Sequence, residues 1–218
     1  MKRFCTAIFD MDGLMVDTEP LYFEAECEVA RRYDRVFTRE VMEKMMGHKA
    51  SRSIEIMMET LAMEGSSHDI MTLRDTLYEE LLLRGVQPMR GLLNLLDWLE
   101  AHGYRKAVAT SSQPHFKDII FDHLDLHRRF EVVVTGEDVS EGKPSPEIYQ
   151  RVLHQLDLCP GQAVVLEDSA VGLKAAKGAG CFCIVVPNQF TRSQDFSAAD
   201  LVATDLFHED IRRVLEEG

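Results

Sequence analysis

The sequence predicts an α/β protein built on a parallel sheet with helices on both faces, and with a block of helices inserted after the first strand. An apolar run at residues 4–9 ends at Asp10, which is typical of a buried strand. Residues 17–88 then contain only helical patterns. From residue 91 onward, strand-length apolar runs alternate with helical patterns, and such alternation produces right-handed βαβ units.

Four helices are predicted in the inserted block. Thr18 can cap the first, with Pro20 in its opening turn, and the fourth ends near Gly85. Each helix carries apolar residues at spacings of three and four, the pattern of a helix with one buried face. These apolar residues are Leu21, Ala25, Val29 and Tyr33 in the first helix, Val41, Met42, Met45 and Met46 in the second, Ile54, Met57, Met58 and Leu61 in the third, and Ile70, Leu73, Leu77, Leu81 and Leu82 in the fourth.

The rest of the chain predicts a Rossmann-like sheet. Further strands are expected at residues 107–110, 132–134, 163–166, 182–186 and 201–203. The helices between them are expected at residues 92–99, after Pro114, after Pro146, at residues 169–177, and after a capping Asp205. Ser112 is predicted to cap the helix that Pro114 opens. The predicted domains are an α/β core of residues 1–16 and 89–218 and an inserted helical cap of residues 17–88.

Composition excludes several classes of function. The 218 residues carry a formal charge of −13, whereas proteins that bind nucleic acid or anionic membranes need a basic surface. The five cysteines show no CxxC spacing, which argues against a zinc finger or a disulfide framework. No apolar run approaches the roughly 18 residues of a membrane span. The sequence therefore predicts a cytoplasmic protein, monomeric or weakly dimeric, that acts on a small molecule.

Polar side chains follow four of the predicted strands. Ligands of open parallel sheets bind beyond the carboxyl ends of the strands, so these side chains are expected to converge. Four carboxylates at one sheet edge would repel one another unless a divalent cation neutralised them, and oxygen ligands suit Mg²⁺. The side chains are Asp10 and Asp12 after the first strand, Thr110 and Ser111 after the second, Lys143 after the third, and Glu167 and Asp168 after the fourth.

These motifs resemble those of a known family. The run DMDGLMVDT at residues 10–18, Thr110, the segment GKPSP at residues 142–146 and the Glu167-Asp168 pair are similar to the motifs of the haloacid dehalogenase superfamily. The resemblance is to the branch with β-phosphoglucomutase and sugar-phosphate phosphatases. In the predicted cap, RYD at residues 32–34 and the segment at residues 41–50 also resemble pseudouridine-5′-phosphatases.

The resemblance implies a covalent phosphoryl transfer. Asp10 would be the nucleophile that forms an aspartyl-phosphate, and Asp12 the general acid that protonates the leaving alcohol and then activates water. Lys143 would neutralise charge between the phosphate and Asp10.

The same resemblance implies a metal site and a phosphate site. Mg²⁺ would be held by the Asp10 side chain, the Asp12 backbone carbonyl and Asp168, with Glu167 ligating through water or from farther out. Thr110 and the Ser111 amide would hold phosphoryl oxygens.

The predicted function is therefore hydrolysis of a small phosphorylated metabolite, either a sugar phosphate or a nucleoside monophosphate. Two alternatives stay open, a hexose-phosphate mutase of the β-phosphoglucomutase kind and a catalytically silent binding protein of the same fold. A mutase needs a second phosphate site, for which the cap offers Lys49, Arg52 and Arg74. The mutase-like pattern has a histidine where this chain has Tyr22, which favours the phosphatase.

Overall fold

The structure, a computed structural model, describes residues 3–45 and 50–217. The chain forms two compact units: a core unit of Met1–Asp17 and Gln87–Gly218, and a cap unit of Thr18–Val86. Asp17, Gln87 and Pro88 lie within the predicted cap bounds of 17–88 but group with the core unit. The Asp17 N–H donates to the Gln87 carbonyl at 3.0 Å, which joins the two connecting segments.

Helices account for most of the cap unit and alternate with strands in the core unit. The cap helices are α1 (Glu19–Arg32), α2 (Arg39–Met45), α3 (Ala50–Leu61) and α4 (Ser67–Arg84). The core helices are α5 (Leu92–Ala101), α6 (Pro114–Leu124), α7 (Glu147–Leu156), α8 (Ala170–Gly178) and α9 (Glu209–Glu217). The terminal helix begins later than predicted, because the Asp205 carboxylate accepts the Phe207 N–H at 2.9 Å and caps a turn ahead of α9. None of the described helices is long and apolar enough to cross a bilayer.

The core unit contains a parallel sheet. Its strands are β1 (Thr6–Phe9), β2 (Arg105–Ala109), β3 (Val132–Val134), β4 (Ala163–Glu167), β5 (Phe182–Val185) and β6 (Leu201–Val202). They are arranged in the order β3-β2-β1-β4-β5-β6. In this register Phe9 lies opposite both Val108 and Leu166, so β1, β2 and β4 end at the same edge.

Apolar side chains hold the sheet between its helices. β1 is buried along its whole length, as expected for a central parallel strand. One face of the sheet packs on α7 and α8 through a cluster that includes Val165, Val152 and Leu173. Because the strand ends are fixed by this core, the loops that follow β1, β2 and β4 have a rigid base.

The cap unit contains a buried ion pair between α1 and α4. Arg74 donates to Glu26 at 3.4 Å and to Asp75 at 2.7 Å, and the rings of Tyr22 and Tyr78 stack beside them with centroids 3.7 Å apart. The second carboxylate oxygen of Glu26 is buried and accepts no hydrogen bond. Burial outweighs the attraction of Arg74 and raises the pKa of Glu26 to about 7.

The charge on Glu26 is expected to make stability depend on pH. Folded protein keeps a proton that the unfolded chain releases near pH 4.5, so stability should fall as pH rises from about 4.5 to about 7. Glu26→Gln stays neutral and should stabilise the protein at pH 8 by up to about 3 kcal/mol, with a smaller gain at pH 5. Thermal unfolding at the two pH values measures this.

The matched control is Glu28→Gln on the same helix. Glu28 pairs with Arg31 at the exposed surface, where ion pairs contribute little, so its loss should scarcely change the unfolding temperature. A Glu26→Gln protein that unfolds at a lower temperature than wild type at pH 8 would contradict the assignment.

Candidate active site

The ends of β1 and β4 bring three carboxylates together. Asp10 directly follows β1, and its N–H still donates to the Leu166 carbonyl of β4 at 3.0 Å. Glu167 is the last residue of β4 and Asp168 comes next. One oxygen from each of Asp10, Glu167 and Asp168 lies within 4.8 Å of the others, and all three residues are buried.

Lys143 lies between two of these carboxylates. Its Nζ is 2.5 Å from Asp10 Oδ1 and 2.6 Å from Glu167 Oε1, and it also donates to the Ala109 carbonyl at 3.2 Å. Burial lowers the pKa of Lys143, but the two carboxylates outweigh it and hold the pKa above its ordinary value. Lys143 is therefore a fixed positive charge beside Asp10.

The positive charge of Lys143 does not fully balance the negative charge around Asp10. Burial contributes most to its raised pKa, and the carboxylates of Glu167 and Asp12 raise it further, while Lys143 lowers it. A buried cluster of hard oxygen donors with excess negative charge is the donor set that Mg²⁺ prefers. The residues present therefore fit this ion.

Glu167 is completely buried and both its oxygens accept hydrogen bonds. Oε1 accepts from Lys143 and from the Tyr149 hydroxyl at 2.5 Å, while Oε2 accepts from the Asp168 N–H and the Ser169 hydroxyl, both at 3.1 Å. A Cβ on Gly172 would lie only 1.8 Å from Oε1, so α8 passes the carboxylate only because this residue is glycine. The described contacts favour Glu167 as an anchor for Lys143 over a direct metal ligand.

Two hydroxyl groups hold the Asp12 side chain. Ser112 donates to Asp12 Oδ2 at 2.7 Å and Thr110 donates to the same oxygen at 3.1 Å. The prediction that Ser112 caps α6 is wrong, because Gln113 occupies the N-cap position and the Ser112 hydroxyl is directed to Asp12. Thr110, predicted to hold a phosphoryl oxygen, contacts Asp12 in this structure, while Ser111 is exposed.

Tyr149 and Asn188 contact the carboxylate cluster and were not among the predicted site residues. Tyr149 lies in the first turn of α7, a helix for which the sequence predicted no functional residue. Asn188 lies in the loop after β5, and its amide Nδ2 donates to Asp168 Oδ2 at 2.8 Å. The signal for Asn188 was its place beyond a strand end, the same signal that identified the residues after β1, β2 and β4.

The predicted cap cations are engaged within the cap unit. Arg52 pairs with Glu55 at 2.9 Å and with Glu59 at 3.0 Å. Arg74 is buried in the pair with Glu26 described above. Lys49 falls outside the described residues, as does Met46 of the predicted second helix.

A family model for haloacid dehalogenase-like hydrolases matches residues 7–186. The chain belongs to this family. The phosphorylated carbohydrates phosphatase of Thermotoga maritima is 37% identical over 177 residues, which cover 79% of this chain and 80% of that protein. Fructose-1-phosphate phosphatase YqaB of Escherichia coli is 29% identical and covers 82% of this chain and 94% of its own length.

A solved structure supports the same assignment. The crystal structure of CbbY from Rhodobacter sphaeroides in complex with phosphate superposes with a TM-score of 0.85 at 29% identity, over 94% of this chain and 95% of that one. The predicted α/β fold and family are confirmed. The predicted enzyme class, a phosphatase of the haloacid dehalogenase-like family, is confirmed as well.

Proposed function

We propose that the protein is a Mg²⁺-dependent phosphatase that hydrolyses a small sugar phosphate through an aspartyl-phosphate on Asp10. The observation that carries this proposal is the contact of Asp10 Oδ1 with Lys143 at 2.5 Å, inside a buried cluster that also contains Asp168. The names of the relatives favour a phosphorylated carbohydrate over the nucleoside monophosphate that the sequence left open.

Asp10 would act as the nucleophile and Asp12 would move the proton. An Asp10 carboxylate oxygen forms a bond to phosphorus while the phosphorus–oxygen bond to the sugar breaks, and protonated Asp12 gives its proton to the leaving oxygen. Water then attacks phosphorus and passes a proton to Asp12, and Asp10 leaves as a carboxylate with inorganic phosphate released. The hydroxyls of Ser112 and Thr110 would hold Asp12 in one rotamer through both steps.

The carboxylates of Asp10 and Asp168, with the backbone carbonyl of Asp12, would hold the metal. When bound, Mg²⁺ supplies positive charge that orients the phosphoryl group and stabilises its transition state. Lys143 supplies a second positive charge, and its contact with Glu167 keeps it beside Asp10 whether or not phosphate is present. Phosphoryl transfer depends mostly on such positioning and neutralisation.

The ion pairs of the cap favour a phosphatase over a mutase. A mutase must bind a substrate that carries two phosphates, which requires a second set of cations. Arg52 and Arg74, the described residues predicted for that role, both have carboxylate partners within the cap. Recruiting Arg74 to a phosphate would also leave Glu26 buried without its partner, at a cost typical of a broken buried pair.

The proposal is tested by following both possible products. With Mg²⁺ and a panel of hexose, pentose and triose monophosphates, we expect inorganic phosphate to appear in proportion to the ester consumed. Incubation with β-glucose 1-phosphate and a trace of its bisphosphate should also release phosphate. Conversion to glucose 6-phosphate with almost no free phosphate would instead establish the mutase, and no turnover of any ester in the panel would contradict the proposed sugar-phosphate phosphatase.

A further inference from the structure

One buried side chain connects three of the loops at the carboxyl edge of the sheet. Asn188, in the loop after β5, is 9% exposed. Its Nδ2 donates to Asp168 Oδ2 in the loop after β4 at 2.8 Å, and to the Gly13 carbonyl in the loop after β1 at 3.2 Å. The two loops that carry the candidate metal ligands are therefore joined through one amide group.

The orientation of this amide is fixed by its own loop. Asn188 Oδ1 accepts the N–H groups of Phe190 and Thr191 at 2.8 and 3.2 Å, and these two contacts set the orientation of the amide. The Thr191 hydroxyl accepts the backbone N–H of Asn188 at 3.0 Å, a contact in which the side-chain amide takes no part. Because Oδ1 accepts two N–H groups, the opposite end of the amide must be the donor. A rigid donor thus faces Asp168.

Gly13 allows this contact to form. It has a φ of +79°, and a Cβ at this position would lie 2.6 Å from Asn188 Nδ2 and 2.7 Å from Asp168 Oδ2. Any side chain would therefore displace one of the two groups. The glycine of the DMDG motif is required here by the approach of the first loop to the Asn188–Asp168 pair, as well as by its backbone conformation.

We propose that Asn188 is a positioning residue that sets the orientation of the Asp168 carboxylate for Mg²⁺. The inference rests on the metal site of the proposed function. A carboxylate ligand keeps one orientation when a protein group also donates a hydrogen bond to it, and loss of such a donor typically weakens metal binding 10–100-fold. Asn188 acts through Asp168 and is not itself a ligand.

Two substitutions distinguish positioning of Asp168 from the alternative that Asn188 only stabilises its own loop. Asn188→Ser retains a short oxygen that can accept the Phe190 and Thr191 N–H groups, but loses the amide that reaches Asp168. Thr191→Val does the reverse, since it removes the hydroxyl that accepts the Asn188 N–H and leaves Nδ2 in place. Mg²⁺ binding without substrate, measured by isothermal titration calorimetry, compares them with wild type.

We expect Asn188→Ser to weaken Mg²⁺ binding about 10-fold or more, and Thr191→Val to bind Mg²⁺ as the wild type does. In hydrolysis of p-nitrophenyl phosphate, the Asn188→Ser protein should need correspondingly more Mg²⁺ and recover most of its kcat at saturation. Equal affinity in Asn188→Ser and wild type, or an equal loss in both variants, would overturn the inference. If the wild-type protein bound no Mg²⁺, the proposed metal site of Asp10 and Asp168 would be wrong, and not only the role of Asn188.

A measurement on wild-type protein removes any dependence on the folding of a variant. The chain has two asparagines, Asn188 and the exposed Asn94 on α5, so labelling asparagine side chains with ¹⁵N gives two amide signals. The Asn188 amide protons should exchange slowly with solvent, and their signal should shift as Mg²⁺ is added. The shift should be half complete at the Mg²⁺ concentration that the calorimetric Kd predicts. The Asn94 signal should do neither, and an Asn188 signal unaffected by saturating Mg²⁺ would refute the proposal.

Discussion

Asp10→Asn is expected to abolish turnover while the protein stays folded. A carboxamide has nearly the shape of the carboxylate but is not a nucleophile, and removal of a catalytic nucleophile typically lowers kcat by about 10⁴–10⁶-fold. The folded state should tolerate the change, because the pKa of Asp10 is already raised by burial and by the carboxylates of Glu167 and Asp12. A neutral side chain at this position relieves that repulsion.

Two measurements test this expectation. One is the rate of sugar-phosphate hydrolysis, and the other is the mass of the protein after acid quenching during turnover. Wild-type protein quenched during turnover should carry one phosphoryl group, and the Asp10→Asn protein none. Asp17→Asn is the matched control, since Asp17 is an exposed acid at the end of the same motif and should retain most activity. If Asp10→Asn kept a rate near that of wild type, another residue would be the nucleophile.

The sheet and its strand-end residues were predictable because both follow from periodic patterns. Strand-length apolar runs gave the strands, and parallel strands place their carboxyl ends at one edge. That rule places Asp10 and Asp168 at the same edge, and they lie close together because β1 and β4 pair in the sheet, although the two strands are far apart in the sequence. The same rule places Lys143 at this edge, but its pairing with Asp10 was expected from the family resemblance, because β3 is separated from β1 by β2.

The direction of each loop side chain was not predictable. Ser112 and Gln113 are adjacent and polar, and which of them occupies the N-cap of α6 depends on where Asp12 lies across the sheet edge. Asn188 likewise gains its role from Asp168 and Gly13, which come from two other loops. Loops lack the repeating geometry that, in helices and strands, allows the sequence to predict which side chains share a face.

The pairing of Arg74 with Glu26 could not be predicted from the sequence either. Helical spacing shows which face of α4 is apolar, but it does not show what an arginine on this helix contacts, so Arg74 was named as a candidate cation for the second phosphate site of a mutase. Glu26 is 48 residues away in the sequence and meets Arg74 only because α1 packs on α4. Charge pairing between helices depends on this packing, which the pattern of one helix does not contain.

Lys143→Met should reduce both activity and stability. Methionine has a similar length but no charge, so Asp10 and Glu167 would lose the cation that contacts them at 2.5 and 2.6 Å. Loss of one partner from a buried ion pair costs about 3–5 kcal/mol, which should appear as a large drop in unfolding temperature. The rate should fall by about 10²–10³-fold or more, as when one electrostatic donor to a transition state is removed.

A second substitution separates the two effects of Lys143. In the double variant with Glu167→Gln, the completely buried side chain becomes neutral. Its amide oxygen can accept the Asp168 N–H and the Ser169 hydroxyl, and its amide nitrogen can donate to the Tyr149 hydroxyl oxygen. We therefore expect much of the lost stability to return while kcat stays low, because nothing replaces the positive charge beside Asp10. A double variant that regained activity along with stability would show that Lys143 serves folding alone. One that regained neither would show that Glu167 is needed for more than holding the lysine, and would restore it as a candidate metal ligand.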